Sequence, residues 1–362
     1  MKGTEEKFLS AVQKGNCEDV QTVFDSSLDK STLLNCCHKR SGDSAVHLAA
    51  RHNHVDLLEF LISRGADIEN SNLDGKRALH EAAQSGSRDC LNLLLTKGAE
   101  VDSLKRADWT PLHLACTKLD VVIVNELLSA GANPLLCNKD GWNAFHIASR
   151  EGSVDVLNCL LDAHPLTWST KSKNGRTPLH TAALHGKLDA VHLLLGRCKY
   201  DSNTTDSCGS TPLMDALRAG FTDVADVLIT QHKAGVRRPD VLGREPLHVA
   251  AQAGCDKSVK YLIQTHRVPP DVATSIGELT PLHLAAKEGQ DGTIFTLLQL
   301  GADVNTKDVK GRTALHIAAG SQMTECVKAL LQSGADICMD EKGNRPSDMT
   351  NRKEILDLLE PT

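Results

Sequence analysis

Aromatic residues are scarce: 3 tryptophans, 2 tyrosines and 6 phenylalanines make up 3% of 362 residues. A large globular core usually draws on such rings, so thin layers of alanine and leucine suit this composition better. No apolar run approaches the ~20 residues a membrane-spanning helix needs. No signal peptide opens the chain, and Lys2 stands where myristoylation needs glycine. The terminal Glu-Pro-Thr is not a prenylation signal, so a soluble, intracellular protein is expected, cytoplasmic and nuclear. Excess positive charge is missing too. A formal net charge of −6 offers little to phosphate backbones, and no direct nucleic-acid binding is expected.

Paired cysteines are also absent. The 12 cysteines contain no Cys-x-x-Cys set. The adjacent thiols of Cys36-Cys37-His38 cannot easily serve one tetrahedral site. Free thiols in a reducing cell, with no metal and no cofactor, fit this usage. There is no phosphate-binding glycine loop, no His-Glu-x-x-His and no nucleophile elbow, so no enzyme is expected. Charged residues at 24% exclude a disordered composition.

What the chain has is a repeat. A tetrapeptide of the form Thr-Pro-Leu-His returns nine times, cleanest at Thr110–His113, Thr177–His180 and Thr280–His283. Its last residues are His47, His80, His113, His146, His180, Met214, His248, His283 and His316. The steps between them are 33, 33, 33, 34, 34, 34, 35 and 33 residues. Such a period opening on this tetrapeptide resembles the ankyrin-repeat family over nearly the whole chain. The resemblance implies an all-α solenoid of stacked helix-turn-helix units with hairpin tips, a binding surface without a built-in catalytic cleft.

The unit from Gly175 to Leu195 shows why the repeat folds. Thr177 is a candidate helix N-cap, and Pro178 takes the first helical position, where its missing N–H costs nothing. Leu179, Ala182 and Ala183 face neighbouring helices, and Gly186 ends the helix. Val191, Leu194 and Leu195 give the second helix one apolar face. Asn174-Gly175 is the turn at a hairpin tip, as are Asp74-Gly75, Asp140-Gly141, Cys208-Gly209, Leu242-Gly243 and Lys310-Gly311. The recurring histidines read as structural hydrogen-bond bridges. Met214 leaves one layer without that bond.

One array is expected over 1–362, with nine motif-bearing repeats over 43–342. Residues 5–30 read as an N-terminal capping helix pair with Phe8, Val12, Val20, Val23 and Phe24 as its apolar positions. Residues 343–362 read as the C-terminal cap, closed by Ile355, Leu356, Leu358 and Leu359. Gly-Ala-Asp/Asn/Glu follows the second helix at 65–67, 98–100, 131–133, 301–303 and 334–336. It is missing after residues 161, 195, 230 and 264, where Ala163-His164-Pro165, Arg197-Cys198-Lys199, Lys233-Ala234-Gly235 and Val268-Pro269-Pro270 stand instead. Altered connections are expected there.

The position before each tetrapeptide holds Asp43, Lys76, Trp109, Trp142, Arg176, Ser210, Arg244, Leu279 and Arg312. At the usual interhelix distance of ~10 Å these residues form a row along one edge. Trp109 and Trp142 are neighbours in it, and Trp168 lies in the next connecting loop. Arg106, Lys105, Lys139, Lys171, Lys173 and Arg176 surround them in sequence. Tryptophan and arginine dominate interface hot spots, so Trp109, Trp142, Trp168, Arg106 and Arg176 are the candidate partner-binding residues.

The segments ADWTPL (107–112), GANPLL (131–136), NKDGWN (138–143), FHIASREG (145–152), RTPLHTAALHG (176–186) and LMDA (213–216) carry a narrower resemblance. They are similar to ankyrin-repeat co-regulators of alanyl-tRNA synthetase. A monomer is expected, and that resemblance implies a protein that binds the synthetase catalytic domain and takes misactivated serine onto its own lysines. An aminoacyl-adenylate is an activated acyl group, and a neutral amine attacks it directly. The family's three acceptor lysines fall on Arg106, Lys139 and Ser169. Only Lys139 keeps the amine, since arginine stays protonated and serine has none. Lys105 and Lys171 lie one and two residues away and complete the acceptor candidates. The alternative is a general adaptor recruiting a different intracellular protein.

Overall fold

A computed structural model of the protein describes residues 2–360. The chain divides into two compact units, Met1–Lys173 and Asn174–Thr362. The described residues are helical, with no strand beyond the isolated bridges Cys37–Ser44 and Lys105–Trp109. Nine antiparallel helix pairs carry the nine tetrapeptides, four in the first unit and five in the second.

The tetrapeptide acts as a helix start. Thr177 accepts from the His180 amide, Pro178 opens the helix Pro178–Leu184, and the His180 ring bonds back to the Thr177 amide at 3.2 Å. Two donors that the first helical turn leaves unpaired are thereby satisfied. This first helix is buried on every side, with Pro178, Leu179, His180, Thr181, Ala182 and Ala183 all inside. It has neighbours all round, so it lacks the polar face that an isolated helix pair would show. The second helix, Leu188–Arg197, buries one stripe of Ala190, Val191, Leu194 and Leu195.

The imidazoles join consecutive layers. His47 Nε2 lies 2.8 Å from the Lys76 carbonyl, His80 Nε2 3.1 Å from Trp109 and His248 Nε2 2.9 Å from Leu279. His180, His283 and His316 reach Ser210, Arg312 and Asn344 in the same way. Each bond ends on the residue before the next tetrapeptide or its equivalent in the cap, so the candidate row is pinned by its backbone. At Met214 the layer has no imidazole, and the Arg244 carbonyl keeps the bond from Asp240 N–H at 3.0 Å that other tips also make, as Asn72 N–H does to Lys76.

The irregular connections have a structural counterpart. Where Gly-Ala-Asp occurs, the glycine takes a left-handed backbone, as at Gly98 (φ 86°) and Gly301 (φ 91°). Where it is missing, Lys199, Lys233 and Arg267 take that conformation at φ 52–57° without being glycine. Two second helices also end in a π-helical turn, Val227–Gln231 and Tyr261–Thr265. There Ala234 N–H reaches back to the Leu228 carbonyl and Val268 N–H to the Leu262 carbonyl. A wider last turn absorbs the altered loop.

The N-terminal pair is Lys2–Lys14 and Cys17–Ser26, followed by a further short helix, Lys30–Leu34. Phe8, Val12, Val20 and Phe24 are buried, whereas Val23 is only half-buried. At the other end a 3-10 turn, Pro346–Met349, and the helix Lys353–Leu359 bury Ile355 and Leu359.

Candidate functional site

Hairpin tips within the first unit are chained by backbone bonds. Arg106 N–H donates to the Asp74 carbonyl, Lys139 N–H to Ala107 and Lys173 N–H to Asp140, each at 3.0 Å. Arg106, Lys139 and Lys173 therefore occupy equivalent places on successive tips. Arg106 is 74% exposed with Asp74 at 3.7 Å, and Lys139, Lys171 and Lys173 are exposed with no ion pair. The tip at 138–142 is rigid because Asn138 Oδ1 accepts from both the Asp140 and Trp142 amides, at 2.9 and 3.0 Å. The tip before it lacks glycine, and Ala107 and Asp108 both take left-handed backbone at φ 63° and 61°. That strain, on the order of 1–3 kcal/mol per residue, sits directly beside Trp109.

Both tip tryptophans are half-buried and lean over the first helix of their own layer. Trp109 packs on His113 with ring centroids 5.8 Å apart, and Lys105 Nζ lies 6.0 Å from its ring. Trp142 stacks on His146 at 6.1 Å with 24° between the planes, and Arg150 covers its ring at 5.9 Å. Each indole is thus held in place with part of its surface in solvent. Such a ring offers contact area at little entropic cost. The sequence reading missed Arg150. Its signal was available, since it lies one helical turn beyond His146, on the same face of the helix Ala144–Glu151.

Other candidates prove to have different surroundings. Trp168 lies in the connection after the helix Val154–Ala163, outside the row. It sits in a 3-10 turn, Thr167–Ser169, held by Asn143 Nδ2 donating to the Thr167 carbonyl at 3.0 Å. Ser169, exposed, ties its hydroxyl to the Leu166 carbonyl. Lys105 is bound to Asp74 at 3.2 Å with its side chain only 14% exposed, which makes it a poor acceptor. Arg176 belongs to the second unit. Its guanidinium is committed to Asp215 at 2.5 Å and Asp206 at 3.5 Å.

Two buried acids stand at the position after the tetrapeptide. Glu81 is clamped by Arg51 at 2.9 Å and Lys76 at 3.2 Å, and Arg51 also holds Asp43 at 2.8 Å. Burial works against the Glu81 and Asp43 charges. The Arg51 hydrogen bonds, with Lys76 at Glu81 and Asn72 at Asp43, still hold both carboxyls below their ordinary values. At Asp215 the balance reverses: complete burial pushes it up to about 6, against the pull of Arg176 and Arg218. The layer histidines move the other way. Burial lowers His80, His113 and His248 to about 4, although the Trp109, Trp142 and Leu279 carbonyls respectively favour the proton. All three imidazoles are neutral at neutral pH, and His80 and His248 bridge layers through Nε2.

No group of three or more His, Cys, Asp or Glu side chains among the described residues could hold a metal ion. No described helix is long and apolar enough to cross a membrane. An open cavity of about 610 Å³ in the second unit is lined by Arg176, Ser210, Arg218, Arg244, Gln252 and Glu288, among others. It opens where the row narrows to Ser210. Its arginines are tied to Asp206, Asp215 and Asp240, and Gln252 binds Glu288 at 3.0 Å.

The family model for ankyrin repeats (3 copies) matches residues 8–105, 112–206, 179–272 and 247–341.

Proposed function

We propose, from the premise that the chain belongs to the ankyrin-repeat family, that it is a protein-binding adaptor whose partner is the catalytic domain of alanyl-tRNA synthetase. The observation that carries this reading is the pair Trp109 and Trp142, each half-exposed and braced on a buried histidine, beside the unpaired Lys139. The resemblance of these tips to synthetase co-regulators supplies the partner. Lys139 is the foremost serine acceptor: it is exposed, unpaired, and fixed by its amide to the Ala107 carbonyl. Lys171 is the second, exposed two residues past Ser169. Attack of the lysine amine on the seryl carbonyl releases AMP, forms an amide and consumes the lysine. It is an acceptor and not a catalyst.

Capture from lysate followed by mass spectrometry tests both halves. The protein is expected to retain alanyl-tRNA synthetase. After incubation with synthetase, ATP and serine, a seryl mass is expected on Lys139, lost in Lys139→Arg. Retention of the synthetase without any seryl adduct overturns the acceptor role alone. A different dominant protein overturns the partner.

A further inference from the structure

Exposed aliphatic side chains cluster on three consecutive hairpin tips of the second unit. Val241 is 60% exposed, Leu242 55%, Ile276 62% and Val309 53%. Equivalent places in the first unit hold Leu73, a single exposed aliphatic, and then Arg106, Lys139 and Lys173. Single exposed aliphatics are ordinary, but an unbroken run on adjoining tips is not. These tips adjoin: a Cβ on Gly243 would stand 3.1 Å from the Ile276 amide nitrogen, and Val309 N–H donates to the Gly277 carbonyl at 3.2 Å.

Two of the three tips are held stiff from within. Asp240 Oδ1 accepts from the Leu242 and Arg244 amides, and Asp308 Oδ1 from those of Lys310 and Arg312, all within 2.8–2.9 Å. The side chains above them are therefore displayed in fixed places, which lowers the entropic cost of docking. Charge surrounds the stripe unevenly. Asp240 and Asp308 are each tied to an arginine at 2.7 Å. Arg238, Lys307 and Lys310 are exposed and in no ion pair, against the exposed acids Glu278 and, on the next tip, Glu341, whose amide donates to the Lys310 carbonyl at 3.0 Å.

We propose that Val241, Leu242, Ile276 and Val309 form a docking stripe for one amphipathic α-helix of a partner protein, with apolar residues seven apart and acidic flanks. Neighbouring tips repeat at ~10 Å. Helix residues i and i+7 lie about 10.5 Å apart on one face, so successive apolar side chains meet successive tips. A β-strand fails because residues three apart point to opposite faces. A polyproline segment repeats every ~9.3 Å. Its narrow edge does not cover the Val241–Leu242 pair, which the broad apolar face of a helix does. The acidic flanks answer Arg238, Lys307 and Lys310. This surface does not depend on how the first unit is used.

Fluorescence anisotropy of labelled peptides with the full chain tests the proposal. The probe is an alanine-rich peptide of about 18 residues with three leucines seven apart and glutamate on both flanks. It is expected to bind, and Ile276→Asp to weaken it about tenfold or more with the melting curve unchanged. Lys307→Glu with Lys310→Glu is expected to transfer the preference to a lysine-flanked version of the peptide. Equal binding of a proline-rich peptide with leucine at every third residue overturns the proposal. So does indifference to Ile276→Asp, or no binding of the acidic helix.

Discussion

The layer histidines make the fold pH-sensitive in a definite direction. Free imidazole titrates near 6.5, whereas burial holds His80, His113 and His248 at about 4. Between those values the unfolded chain binds more protons, so these residues contribute stability above pH 6.5 that is lost as pH falls toward 4. Asp215 opposes them. Raised to about 6, it favours the folded state as pH falls, but it is one group against three. The unfolding free energy from urea titrations is expected to fall steadily from pH 6.5 to 4. His248→Gln is expected to reduce the proton uptake on unfolding by about one, and a pH-independent stability would contradict these assignments. The histidine role was legible because the tetrapeptide places N-cap and imidazole three residues apart. The commitments of Lys105 to Asp74 and Arg176 to Asp215 were not, since both pairs join residues of different layers.

At the level of the helix pair, local rules predict nearly everything: proline at the first position, glycine past the end, apolar spacing on the second helix. They failed where a connection departs from Gly-Ala-Asp. The missing glycine marked the loop around 233 as irregular, but only the structure shows Lys233 in left-handed backbone after a π-helical turn. Tip glycines such as Gly141, Gly209 and Gly311 are constrained twice, by φ and by the next tip. Gly209 has φ +75°, and an added Cβ would lie 2.7 Å from the Val241 amide nitrogen. Gly334 has φ +85° with nothing within 4 Å. Alanine at either position is expected to cost about 1–2 kcal/mol from backbone strain. Gly209→Ala is expected to cost at least about 1 kcal/mol more, because a neighbouring backbone must move. Equal urea midpoints for the two variants would show that the tips are not packed closely enough to transmit the clash.

Across the molecule, one repeated element carries two kinds of edge. After Leu73, the first unit ends its tips in Arg106, Lys139 and Lys173 beside two braced indoles, whereas adjoining tips of the second end in Val241, Leu242, Ile276 and Val309. Periodicity located the tips of both units, because it identifies the position just before each tetrapeptide and the turn preceding it, but it did not single out Val241, Ile276 or Val309. Composition could not distinguish them, since a formal charge of −6 averages over both. Titration calorimetry of the full chain with the isolated catalytic domain of alanyl-tRNA synthetase addresses the proposed function directly. Trp109→Ala with Trp142→Ala is expected to weaken binding by about 30-fold or more, given ~2 kcal/mol or more for truncating a hot-spot tryptophan. Saturable binding of the wild-type chain with an unchanged affinity in that double variant, or no binding at all, would contradict the proposal.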